Sequence, residues 1–140
     1  MSEHAIRLRA GWEALDLDDP DAEPFRLDLP VDWRVYEARF GRLPRRLQLS
    51  RRFGRPLSGA PNYRAIVHLG AAEGVVSLAI NGVAIPWTTD GPGRLRAELP
   101  ALQPRNLLMV EIEPTGPTPT AWGDARIVFA GLDDGGARRP

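Results

Sequence analysis

The sequence predicts an all-β fold, an antiparallel β-sandwich of jelly-roll type, on three observations. Short runs alternating apolar and polar residues recur along the chain, Gly and Pro supply 14 residues each, and no helix of any length can be placed. Alternation with a period of two sends successive side chains to opposite faces, which marks half-buried strands. Frequent turn residues cut the chain into short strands, and eight or nine of them with irregular connections stack as two sheets.

The first two runs, Ile6-Arg7-Leu8-Arg9-Ala10 and Phe25-Arg26-Leu27-Asp28-Leu29, alternate apolar and charged residues. Leu47-Gln48-Leu49-Ser50 continues the pattern towards Phe53, and Tyr63 to Leu69 is more continuously apolar, as an interior strand is. In Val76 to Ile80 the larger residues share one face, so Leu78 and Ile80 are expected in the core. Asn81-Gly82 then leads into Val83-Ala84-Ile85, and both turn residues tolerate the positive φ of a type I′ hairpin. Leu95 to Leu99 alternates strictly, and Leu108, Val110 and Ile112 share a face opposite Met109, Glu111 and Glu113. The last run is Ala125 to Phe129. Pro20, Pro24, Asp90-Gly91-Pro92-Gly93 and Pro114-Thr115-Gly116-Pro117 punctuate the rest. The best helical candidate is a turn around Leu102 to Arg105, with Pro100 and Pro104 beside it. The expected organisation is one sandwich domain over residues 1–131 and a flexible polar tail over 132–140.

At 140 residues the chain can bury a real core, yet it is too short for a (β/α)₈ barrel of roughly 250 residues. Cysteine is absent, which excludes disulfides, a thiolate nucleophile and zinc–cysteine sites. Eighteen basic residues balance 18 acidic ones, so nothing marks a nucleic-acid or membrane binder. All the bases are arginine, and the charges are segregated: residues 1–37 hold ten acids, whereas 38–72 hold eight arginines and no acid. Either the fold lays the two segments side by side, or an anionic partner meets a basic patch through bidentate guanidinium groups. No basic start followed by an apolar run opens the chain, and no run approaches the ~20 apolar residues of a membrane span. A cytoplasmic location is the expectation.

Several fragments in order resemble the N-terminal sugar-binding domain of family-two glycoside hydrolases, a galactose-binding-like jelly roll. They are Leu29-Pro30-Val31-Asp32-Trp33, Arg51-Arg52-Phe53-Gly54-Arg55-Pro56, Val76 to Gly82, and Leu102 to Val110 with Asn106 ahead of Leu107-Leu108. The similarity runs over about residues 25–113. Where the family has histidine between proline and aspartate, this chain has Val31, and the barrel that carries the family's two catalytic carboxylates is missing. The resemblance therefore implies the accessory module standing alone, without its catalytic machinery.

The residues agree that this is not an enzyme. Glycoside hydrolysis needs two carboxylates roughly 5–9.5 Å apart across a sugar. Glu111 and Glu113 share a strand face as any solvent-facing pair does. Ser58, Ser77, His4 and His68 stand in no triad or nucleophile-elbow context. His68, inside an apolar strand, reads as a packed or surface histidine.

Sugar recognition stacks apolar C–H faces on aromatic rings, while planar polar groups read the hydroxyls. Trp87 and Trp122 fall where loops could present them, although either could instead cap one end of the sandwich. Asn62, Tyr63 and Arg64 open a strand and could bond hydroxyls, or serve only as its polar start. Trp12, which continues the inward phase of Ile6, Leu8 and Ala10, reads as core, and so does Trp33. Galactose-binding-like modules often hold a structural calcium, for which Glu13 and Asp124 are the acids in place. Calcium takes six to eight oxygens, so two acids fall short and no cofactor is expected. The leading reading is a non-catalytic module that binds carbohydrate through loop aromatics. The alternative is a structural or protein-interaction domain, used for docking or dimerisation, with no small-molecule site. Exposure of Trp87 and Trp122 separates the two.

Overall fold

The computed structural model describes residues 3–55, 63–114 and 121–131. The strands are β1 (Glu3–Arg7), β2 (Trp12–Asp16), β3 (Phe25–Leu27), β4 (Leu47–Gly54), β5 (Tyr63–Gly70), β6 (Val75–Ile80), β7 (Val83–Ile85), β8 (Thr88–Thr89), β9 (Leu95–Glu98), β10 (Arg105–Ile112) and β11 (Asp124–Gly131), with helix α1 (Trp33–Phe40) between β3 and β4. They form two antiparallel sheets, β1-β11-β5-β9-β8 and β3-β2-β4-β10-β6-β7, stacked as the expected sandwich.

The inward residues of both sheets make one core. Trp12, Leu49, Leu78, Ile80 and Leu108 from the larger sheet meet Val67, Leu69, Ile127 and Phe129 from the smaller. Complete burial of such aliphatic side chains is worth about 1.5–3 kcal/mol each. The Asn81-Gly82 hairpin forms as its residues dictate, with φ of 52° and 83° at the two positions of a type I′ turn. Behind it, buried Asn106 holds the turn in place. Its Oδ1 accepts from Asn81 Nδ2 at 3.0 Å and from the Gln103 N–H at 2.9 Å.

Three expectations are corrected. First, the chain does contain a helix, and it is α1. Asp32 caps it by accepting from the Arg34 N–H at 2.9 Å, and Gly41 closes it in the left-handed conformation, φ 83°. Those two signals, nine residues apart in sequence, were available, but only Trp33 and Tyr36 are buried, too few to show a helical period. Second, residues Leu102 to Arg105 are not helical, and Arg105 opens β10. Third, Trp12 is buried as expected, but not by continuing the first run. Gly11 (φ 85°) breaks that run, and the chain passes from the five-stranded to the six-stranded sheet. Strand β2 does not show in the alternation because its third inward position is a carboxylate, Asp16, which is only 2% exposed.

That carboxylate explains the charge segregation. Asp16 Oδ2 accepts from Arg42 Nη2 at 3.1 Å, and Asp18 Oδ2 accepts from the Arg45 N–H at 2.9 Å. β2 also pairs directly with β4. The acidic and arginine-rich segments are neighbours in the fold, as the first of the two readings held.

Candidate functional site

Trp122 is buried and is not presented to solvent by a loop, which corrects that part of the expectation for it. It is 1% exposed, its Nε1 donates to the Glu73 carbonyl at 2.8 Å, and its backbone exchanges two hydrogen bonds with Val31. Its indole lies 5.9 Å from that of Trp33, and the pair caps one end of the core. Asn62 lies outside the described residues, as do Ser58 and the tail over 132–140.

Trp87 is placed differently. It stands where the chain leaves β7 in the six-stranded sheet and enters β8 in the five-stranded one, and it packs against the core while remaining half-buried. Its ring borders an open depression of about 300 Å³ on the outer face of the smaller sheet, with Pro86, Thr88, Ile66, Arg96 and Glu98. The strand period puts these residues together: Thr88 faces Arg96, and Glu98 faces Ile66.

Arg64 joins the depression through Glu98. Its guanidinium forks onto both carboxylate oxygens, Nε to Oε2 at 3.2 Å and Nη2 to Oε1 at 2.9 Å. The Arg64 hydrogen bonds, and then its charge, hold the Glu98 carboxyl below its ordinary range, and Arg64 is raised in return. Tyr63 belongs to the inward phase of β5, packing edge-on against Phe129 with ring centroids 5.7 Å apart. It is half-buried and supports the core, so of the sequence candidates Trp87 and Arg64 are the two brought to one face.

A larger depression of about 520 Å³ lies on the outer face of the six-stranded sheet, lined by Glu13, Arg26, Gln48, Arg52 and Met109 among others. No lining residue there is aromatic. This face is not legible in the sequence because its residues come from β2, β3, β4 and β10, which only pairing makes adjacent.

Glu13 and Asp124 do not form a calcium site. Glu13 faces outward from β2 in one sheet, and Asp124 faces outward from β11 in the other, so the sandwich stands between them. Among the described residues no group of three or more His, Cys, Asp or Glu is positioned to hold a metal ion. Glu111 and Glu113 share Arg46 at 2.8 and 3.8 Å, an arrangement of partly exposed ion pairs. Among the described residues no helix is long and apolar enough to cross a membrane.

No family model matches the chain, and no curated protein matches it. In fold it is similar to enzymes of glycoside hydrolase family two. An FMN-binding β-glucuronidase from Faecalibacterium prausnitzii L2-6 superposes with a TM-score of 0.70 at 18% identity, over 91% of this chain and 22% of that one. A β-glucuronidase from Bifidobacterium dentium gives 0.68 at 14% identity, over 94% of this chain and 30% of that one. A family-two β-galacturonidase from Eisenbergiella tayi gives 0.67 at 12% identity, over 91% and 24%. The chain thus spans less than a third of each, and at these identities the likeness is one of fold.

Proposed function

We propose that this chain is a non-catalytic binding module of the kind built into family-two glycoside hydrolases, and that it recognises carbohydrate on the outer face of its five-stranded sheet. One observation carries this reading: partly buried Trp87 borders the same depression as Glu98, whose carboxylate Arg64 holds in a bidentate grip. An indole face suits the apolar side of a pyranose, and a fixed carboxylate–guanidinium pair offers acceptors and donors to its hydroxyls. The low carboxylate count on this face and the short span of the fold likeness favour binding without hydrolysis. No cofactor is called for.

A glycan array on the purified protein tests this. Binding that is lost in Trp87→Ala and weakened in Glu98→Gln supports the reading. Glu98 is exposed, so the second variant leaves the packing intact. An array without signal, or signal indifferent to both changes, overturns it.

The second reading, a structural or docking domain, draws on two observations. The region matched is only 22 to 30% of each similar enzyme, and Val83, 61% exposed on edge strand β7, leaves apolar surface uncovered. A silent array together with a concentration-dependent mass would favour it.

A further inference from the structure

The register of the five-stranded sheet aligns three arginines and a histidine in a row. Arg7 on β1 faces Arg126 on β11, Arg126 faces His68 on β5, and His68 faces Arg96 on β9. All four residues are in the outward phase of their strands, and the three arginines are exposed. Three interstrand steps carry the row about 14 Å across the sheet. It ends at Thr88, which faces Arg96, and so runs into the depression bordered by Trp87.

Such a row is unfavourable for the sheet itself. Like charges directly opposite one another destabilise an antiparallel pair, and Arg7 and Arg126 are such a pair. Among the described residues none of Arg7, Arg96 and Arg126 forms an ion pair, in contrast to Arg42, Arg46 and Arg64. Two acids share this face: Glu98, gripped by Arg64, also feels the charge of Arg96, and Asp124 faces Gly70 at the start of β11. Guanidinium groups that no carboxylate among the described residues meets in an ion pair are suited to carboxylates or sulfates brought by a ligand, which the planar fork meets bidentately.

We infer that this face takes an acidic oligosaccharide, one sugar ring seated on Trp87 and the negative groups of the following residues laid along Arg96, Arg126 and Arg7. The inference rests on the carbohydrate reading above and adds the charge and direction of the ligand. Single-stranded nucleic acid fits less well, because such ligands need several rings to stack successive bases and the row carries no Trp, Tyr or Phe.

The test is an array bearing uronate-containing, sulfated and neutral oligosaccharides, probed with the whole chain and with Arg96→Gln, Arg126→Gln and Arg7→Gln, all exposed positions. Acidic glycans should bind in preference to neutral ones, and binding should weaken as salt rises. Arg96→Gln should cost about tenfold in affinity for the best acidic glycan, the loss of one charge-assisted contact. Arg126→Gln and Arg7→Gln should each flatten the salt dependence. Trp87-dependent binding of neutral glycans alone would overturn the acidic preference while leaving the sugar site standing. Absence of all glycan binding would overturn both. Tighter binding of a single-stranded DNA oligonucleotide, sensitive to the same three variants, would overturn the choice of ligand class.

Discussion

Asn106 and Asn81, 25 residues apart in sequence, are joined side chain to side chain, Asn81 Nδ2 donating to Asn106 Oδ1 at 3.0 Å. Asn81 Oδ1 in turn accepts from the Leu107 N–H at 2.8 Å, and Asn106 Nδ2 donates to the Gln103 carbonyl at 2.8 Å. The β6–β7 hairpin is thereby fastened to the segment that leads into β10. Asn106 is 3% exposed, and the hydrogen bonds it makes to Asn81 and Gln103 are part-buried.

Replacing Asn106 with Ala should therefore cost about 1–3 kcal/mol, the penalty for stranding buried donors and acceptors. Equilibrium urea unfolding measures it. A midpoint unchanged from the parent protein would show that the network contributes nothing net.

Trp122→Ala should cost about 3–5 kcal/mol, because a fully buried indole leaves a cavity and a lost hydrogen bond behind. Leu78→Ala and Ile80→Ala, each 1% exposed in the parent, should cost about 2–5 kcal/mol by the same route. Trp87→Ala should be milder than Trp122→Ala, since part of its surface already meets solvent. Thermal melts of the four variants order them, and equal losses at the two tryptophans would mean that Trp87 is core as well.

Tyr36 is fully buried and its hydroxyl has no partner among the described residues. Burial raises its pKa above the ordinary value of 10.0, since the phenolate would be stranded in the core. A group raised on folding contributes stability that is complete below its unfolded pKa and is lost as pH climbs from there towards the folded value. Stability should fall above about pH 10, and Tyr36→Phe should lessen that fall. At neutral pH Tyr36→Phe should be neutral or stabilising, because it removes an unsatisfied group. Urea midpoints at pH 7 and above pH 10 read both effects, and a clear loss at neutral pH would point to a partner for the hydroxyl.

Glu98 works in the opposite direction. Its carboxyl is held below the ordinary glutamate range by Arg64, first through hydrogen bonds and then through charge. The contribution is present above the unfolded pKa of about 4.3 and disappears as pH falls through the depressed value. Both groups are exposed, so the effect belongs to the titration of the site more than to global stability. An NMR titration of the glutamate side chains should find Glu98 among the low values and returned to the ordinary range in Arg64→Gln.

The alternation at Leu47-Gln48-Leu49, Val76 to Ile80 and Leu108 to Ile112 was enough to announce strands and the sides they bury, and Asn81-Gly82 announced its hairpin. These are local consequences of pleat geometry and backbone sterics, so neighbouring residues carry them. Asp16 hid β2, because a carboxylate at an inward position is tolerated only when an arginine 26 residues away reaches it. Helix α1 depended on a cap at each end and not on a periodic face.

The candidate site divides in the same way. Residue type alone marked Trp87 and Arg64 as able to meet a sugar, and marked Trp122 equally. Burial separates the two tryptophans, and burial depends on which segments close over a ring; Trp33 and the Val31 backbone close over Trp122. Likewise Arg7, Arg96 and Arg126 are unremarkable in sequence, scattered along the chain as outward positions of three strands. Strand pairing alone sets them in one line, because register is a relation between distant segments and no single stretch of chain contains it.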